Sequence, residues 1–266
     1  AKVKPALHKS PAMRALMKMK PTRTLLSKAA VKKLKKFFGG EMRFFGVGGA
    51  PLAPDVEKFL IEGGFPYAIG YGLTETSPMI AGFNPEGAVY RSVGTVMEGC
   101  EVKIDRPDPV TNEGEIVVTG PNIMKGYYNN VEGTREAFWP GGWFRSGDVG
   151  VLDENGYLFI VDRLKDLIIS GGENVYSLEV EEVLYAHPDV QECAVIGTPD
   201  KEWGERVTAF ILPKPGQTID QKELKNFLKA RLSAYKVPKQ FSMVNDFPRS
   251  PAGKLLKRKL RESFLK

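Results

Sequence analysis

Imidazole and thiol groups are nearly missing from this chain: its 266 residues hold two histidines, His8 and His187, and two cysteines, Cys100 and Cys193. Far apart and without metal-ligand spacing, these four argue against a protein-bound zinc site or a Cys/His nucleophile. So low a thiol count fits a reducing cytoplasm. His187 precedes Pro188, where a helix should stop, and reads as a helix C-terminal residue rather than a catalytic one. No apolar run approaches the roughly 20 residues that span a bilayer, and no succession of charged, apolar and small residues marks a signal peptide. Repeats and low-complexity stretches are lacking, as is any Ser/Thr/Gly-rich loop of the kind that wraps a triphosphate. What remains is an ordinary globular composition, long enough for one large or two medium domains.

Acidic residues are absent from residues 1–40, which carry twelve Lys or Arg, whereas the rest of the chain holds 26 basic against 32 acidic groups. The net charge of +6 is therefore a local property. Leu25, Leu26, Ala29, Ala30, Leu34, Phe37 and Phe38 recur there at helical spacing, opposite Lys28, Lys32, Lys35 and Lys36. This basic amphipathic helix either packs its apolar face on another domain or rests peripherally on the anionic inner face of a membrane. Nucleic acid is not expected, because no recognition motif accompanies the charge.

Beyond that helix, Met42–Val47 reads as a strand, Pro54–Ile61 as a helix with proline near its start, and the run before Gly70 as a second strand, the αβ pattern of a parallel sheet. Ser92–Val161 changes to short strands with glycine turns, a β-barrel-like subdomain. In it Asn155-Gly156 marks a hairpin whose two turn positions want positive φ. The segment after Arg163 predicts an α+β domain. Ser177 would N-cap a helix over Leu178–Ala186, Asp220-x-x-Glu223 would open a second as a capping box, and Lys254–Glu262 would form a basic terminal helix. The expected organisation is 1–40 basic helical segment, 41–162 αβ unit and β-barrel-like subdomain, 163–166 hinge, and 167–266 small domain.

Polar groups and glycines gather in a few places. In Gly48-Gly49-Ala50-Pro51, small residues after a strand let backbone approach a flat ring; the plain alternative is a turn. In Gly70-Tyr71-Gly72-Leu73-Thr74-Glu75, an aromatic between glycines offers a stacking face and Thr74 a hydroxyl for a phosphate oxygen. Glu75 adds a carboxylate for Mg²⁺, which prefers oxygen ligands shared with phosphates. Thr74 could equally cap a helix. Asp148, in Gly142-Trp-Phe-Arg-Ser-Gly-Asp, can accept from two ribose hydroxyls at once, and Arg163 adds a charged donor. Lys254 ends a proline- and glycine-rich turn that presents one ammonium. The stretch Gly114–Tyr127 reads as architecture: strand, turn, aromatic packing.

In this order the motifs resemble the adenylate-forming superfamily, from Phe44 to Arg261, and among its members a bacterial long-chain fatty-acid–CoA ligase. The resemblance implies an α/β and α+β fold: part of a large AMP-binding domain followed by a small mobile C-terminal domain. It implies a ligase joining a fatty acid to CoA through an acyl-adenylate, with ATP/AMP, Mg²⁺ and CoA as cofactors or substrates. Gly49, Ala50, Pro51, Gly70, Tyr71, Gly72, Asp148 and Arg163 would bind nucleotide. Thr74 would hold the α-phosphate, Glu75 Mg²⁺, and Lys254 the charge of the adenylation transition state. Lys165 takes the hinge position and Gly171, Gly172 and Glu173 the CoA-facing loop. The missing phosphate loop and the initial Ala suggest the C-terminal half of a longer enzyme, inactive without its N-terminal partner half. An adenylation domain loading a carrier protein and a non-catalytic membrane- or partner-docking module are the alternatives.

Overall fold

The structure, a computed structural model, describes residues 20–49, 51–251 and 253–264. They fall into two compact units. The first runs as far as Ser146 and includes Gly150–Ile160; the second comprises Gly147–Val149 and the chain from Val161 onward.

The first unit opens with helix α1 (Lys20–Phe37), strand β1 (Phe45–Gly48), helix α2 (Pro54–Gly63) and strand β2 (Tyr67–Gly72), followed by β3 (Met79–Gly82) and β4 (Thr95–Val96). Their sheet has the order β1-β2-β3-β4, with β1 and β2 parallel. Proline in the first turn of α2 loses only an N–H that a helix leaves unpaired, Asp55 and Glu57 sit at its positive end, and Gly64 closes it in the left-handed conformation. The apolar stripe of α1 differs from the expected one. Ser27, Ala30 and Val31 are buried while Leu25 and Phe37 are 69% and 81% exposed, because Val31 packs with Leu60, Phe65 and Tyr67 of its own unit. Neighbouring α2, not the mean apolar face of the helix, sets what is covered. Residues 1–19 of the expected basic segment lie outside the described residues.

A second sheet contains β5 (Glu101–Asp105), β6 (Gly114–Thr119), β7 (Phe138–Trp139), β8 (Trp143–Leu152) and β9 (Leu158–Arg163), with helix α3 (Val131–Ala137) leading into β7. The Asn155-Gly156 turn joins β8 to β9 in a looser form than expected. Only Gly156 has positive φ, and the Asp153 carboxylate accepts from the N–H groups of Asn155 and Tyr157, which supplies the turn with a side-chain anchor.

The second unit holds β10 (Ile168–Ser170), β11 (Glu173–Val175), helix α4 (Ser177–Tyr185), β12 (Val190–Asp200), β13 (Gly204–Pro213), helix α5 (Gln221–Lys229), β14 (Gln240–Met243) and helix α6 (Lys257–Phe264). The continuous apolar run Cys193–Ile196 is buried on both faces: Cys193 and Val195 join Val180, Leu184, Leu224 and Leu228 of α4 and α5, whereas Ala194 and Ile196 join Leu260 of α6. Asp220 caps α5 by accepting from Glu223 N–H, which is one half of the expected capping box; the return bond, from Asp220 N–H to the Glu223 carboxylate, is not made among the described residues. Ser177 does not cap α4. It is the first helical residue, and the cap comes from Asp162, whose Oδ2 accepts from the Ser177 hydroxyl at 2.8 Å and from Leu178 N–H at 3.2 Å. The terminal helix starts at Lys257, which leaves Lys254 in the loop before it. His187, buried just past α4, accepts from Asp189 N–H and meets Phe227 edge-on.

Candidate functional site

In the first unit the parallel register pairs Gly48 with Gly70, so the Gly48-Gly49 turn and Gly70-Tyr71-Gly72 sit side by side at the C-terminal end of the two strands. That is where open α/β sheets receive ligands. Gly49 and Pro51 are exposed there, while Ala50 lies outside the described residues. Only glycine fits at position 72, since a Cβ would come within 1.5 Å of the Pro78 carbonyl oxygen. That close approach bends the chain at a register shift between Tyr71 and Gly72 and turns it into a short 3₁₀ segment, Thr74–Thr76. Thr76, not Thr74, makes the capping bonds: its hydroxyl accepts from Leu73 N–H and faces the carbonyls of Leu73 and Pro78. Thr74 is left exposed and Glu75 half-buried beside it.

The Glu75 carboxylate accepts from the Tyr127 hydroxyl at 2.9 Å through Oε1, and among the described residues no hydrogen bond occupies Oε2. No cluster of three or more His, Cys, Asp or Glu able to hold a metal occurs among the described residues. A single carboxylate oxygen of this kind fits Mg²⁺, which completes its shell with phosphate oxygens and water rather than with a protein cage. Sequence reasoning missed Tyr127, which it assigned to packing alone; the signal was the hydroxyl on an aromatic residue within a glycine-bounded turn.

In the second unit, Asp148 and Arg163 are half-buried, and Lys165 and Lys254 exposed. Lys254 brings the four together electrostatically. Its ammonium is held below the usual lysine range chiefly by the like charge of Arg163, then by partial desolvation and Lys165, with Asp148 pulling the other way. Its loop is a tight turn: Ser250 N–H donates to the Lys254 carbonyl at 2.8 Å, and Lys254 N–H to the Ser250 hydroxyl at 3.1 Å. Three cations collected around one carboxylate repel one another and lower their energy when an anion enters. Gly171 and Gly172 form the two-residue turn between β10 and β11, both at positive φ (62° and 84°), with Glu173 exposed at the start of β11. Gly171 N–H donates to the Trp203 carbonyl, and a Cβ on Gly171 would strike the Trp203 ring at 2.5 Å.

Beside the glycine turns at the C-terminal end of β1 and β2 and the Lys254 loop of the second unit stand two family matches: AMP-binding enzyme over residues 9–128 and AMP-binding enzyme C-terminal domain over residues 179–254. The chain thus carries AMP-binding enzyme family domains. It is 43% identical over 223 residues to the feruloyl-CoA synthase of an Amycolatopsis species (82% of this chain, 45% of that protein). To the 2-succinylbenzoate–CoA ligase of Geobacillus kaustophilus it is 44% identical over 220 residues (81% and 45%). Its fold resembles that of o-succinylbenzoate CoA synthetase from Bacillus subtilis in complex with the acyl-adenylate intermediate OSB-AMP, with a TM-score of 0.78 and 37% identity over 88% of this chain and 49% of that one. The same synthetase with ATP and magnesium ion gives a TM-score of 0.75 and 36% identity over 88% and 50%. The chain thus spans about half the length of the curated relatives it matches. Neither named relative is a fatty-acid ligase, so the similarity supports an acid–CoA ligase type and not the long-chain fatty-acid type expected from the motifs.

Proposed function

We propose that this chain is the nucleotide-recognising and mobile part of an AMP-forming acid–CoA ligase, an acid–thiol ligase that acts together with a half bearing the phosphate loop. A substrate carboxylate attacks the α-phosphorus of ATP and pyrophosphate leaves; the CoA thiolate then attacks the acyl carbonyl and AMP leaves. The observation that carries the reading is the match of both AMP-binding enzyme models to this chain, with Lys254 in the loop before α6 of the unit that also holds Asp148, Arg163 and Lys165. A depressed ammonium in such a loop is poised to neutralise charge that builds on the α-phosphate and carboxylate oxygens. Asp148 and Arg163 would hold ribose and phosphate, Tyr71 with Gly49, Ala50, Pro51, Gly70 and Gly72 the adenine, and Thr74 the α-phosphate. Glu75 would hold Mg²⁺, which when bound supplies positive charge to the phosphate oxygens. Lys165 would be the pivot between the adenylating and thioester-forming conformations, and the Gly171-Gly172-Glu173 turn would admit the pantetheine arm of CoA. Protein groups position and neutralise; no covalent enzyme intermediate is needed.

The acid is a carboxylic acid whose class is wider than fatty acids, and the relatives' names make aromatic acids the first to try. We place the reaction in the cytoplasm, where ATP and CoA are supplied. The test is pyrophosphate release by the full-length protein with ferulate, 2-succinylbenzoate or a long-chain fatty acid, followed by CoA-dependent thioester formation. Adenylation with one acid and thioester only when CoA is present is the expected result. Adenylation with acyl transfer to a carrier protein and none to CoA would replace the ligase with a carrier-loading domain.

A further inference from the structure

We propose that Tyr127 is a positioning residue for the metal: it holds one oxygen of the Glu75 carboxylate so that the other faces the triphosphate-bound Mg²⁺, an inference that rests on the ligase reading above. Four hydrogen bonds tie the segment around Tyr127 to the one around Glu75. Asn122 Nδ2 donates to the carbonyls of Thr76 and Met79, each at 2.8 Å, Met124 N–H donates to the Glu75 carbonyl at 2.8 Å, and the Tyr127 hydroxyl reaches Glu75 Oε1 at 2.9 Å. Three of the four fix backbone; only the Tyr127 bond fixes the carboxylate. Tyr127 is itself steadied from behind, because its N–H donates to Thr134 Oγ1 at 2.9 Å and that hydroxyl donates to the Asn130 carbonyl at 2.8 Å.

A free glutamate side chain samples several rotamers, and a divalent ion must collect it into one before binding. Tyr127 makes that selection in advance. It occupies a single oxygen, which leaves the carboxylate its charge and one open ligand position, the arrangement that outer partners of metal-ligating carboxylates commonly provide. Because Tyr127 is 40% exposed, Tyr127→Phe removes a hydroxyl without opening a buried cavity.

The experiment compares the full-length protein with its Tyr127→Phe and Glu75→Gln variants. It measures Mn²⁺ affinity by electron paramagnetic resonance in the presence of ATP, and AMP affinity by calorimetry without metal. Tyr127→Phe is expected to weaken Mn²⁺ about tenfold while AMP binding stays unchanged. Wild-type Mn²⁺ affinity in Tyr127→Phe, beside a loss in Glu75→Gln, overturns the positioning role and leaves the ligase reading intact. Equal loss of AMP and Mn²⁺ in Tyr127→Phe also overturns it, by making the hydroxyl a general structural strut. Wild-type Mn²⁺ affinity in Glu75→Gln removes Glu75 as the ligand, and the proposal with it.

Discussion

Lys254 is a cation placed among cations, and its behaviour follows from that company. Arg163 is the largest influence lowering its proton affinity and Asp148 the one raising it, so the two substitutions have opposite signs. Arg163→Gln should move the alkaline limb of the adenylation rate to higher pH, and Asp148→Asn should move it lower. Both are read from a pH–rate profile of acyl-adenylate formation, and movement in the same direction would show that some other group sets that limb. Lys254→Ala should slow adenylation by on the order of 3 kcal/mol in barrier and leave thioester formation from supplied acyl-adenylate nearly untouched. Single-turnover assays of each half-reaction separate the two, and equal losses would rule out the assigned role. At this scale the sequence singled out Asp148, Arg163 and Lys254, and the structure places all three in the second unit, Asp148 and Arg163 on strands β8 and β9 and Lys254 in the loop before α6. It read Tyr127 as packing alone, because its partner lies 52 positions away and the two are brought together by tertiary hydrogen bonds from Asn122 and Met124 that no local pattern announces.

The element that organises the second unit is α6. Its Lys257 bonds Glu181 at 2.7 Å and the Ser177 hydroxyl at 2.7 Å, Ser177 donates to Asp162, and Arg261 pairs with Asp166 at 2.9 Å. Within the expected hinge, residues 163–166, Arg163 to Lys165 lie between two buried carboxylates, Asp162 and the hinge's own Asp166, both tied to the helix that follows Lys254. Burial is the main cause raising the Glu181 carboxyl above its ordinary range, and Lys257 opposes it. Lys257→Met should accordingly destabilise the unit by about 3 kcal/mol. The sign with pH is fixed. A carboxyl whose folded pKa is raised contributes stability in acid and loses it as pH rises through the folded value, and without Lys257 that value rises further. The deficit of Lys257→Met should thus be small in acid and grow toward neutral pH, as measured by urea unfolding; a pH-independent deficit would mean that packing of the lysine stem, not its charge, matters. Sequence periodicity found α2, α4 and α5 because each has a capped or proline-marked start and an apolar stripe. It misplaced the stripe of α1 and the cap of α4, since both depend on a neighbour: α2 in one case, Asp162 in the other.

Across the whole molecule, the matched portion of its relatives divides the labour. One unit carries the Gly48-Gly49 turn and the Glu75 carboxylate; the other carries Lys254, residues 163–166 proposed as the hinge, and the Gly171-Gly172 turn. The α/β and α+β character was readable from the change in element pattern near Arg163, because a parallel αβ pair, glycine-punctuated strands and a strand run buried on both faces leave different signatures. The acid substrate was not, since the motifs are read as addressing the nucleotide, Mg²⁺, the CoA arm and the reacting carboxylate, groups that do not distinguish one acid from another. The most direct measurement of the central claim is calorimetric titration of AMP into this chain beside its Asp148→Ala variant. Saturable binding by the chain that is lost in Asp148→Ala is the predicted result and locates ribose recognition at that carboxylate. Binding of equal strength to both would contradict the nucleotide site as assigned.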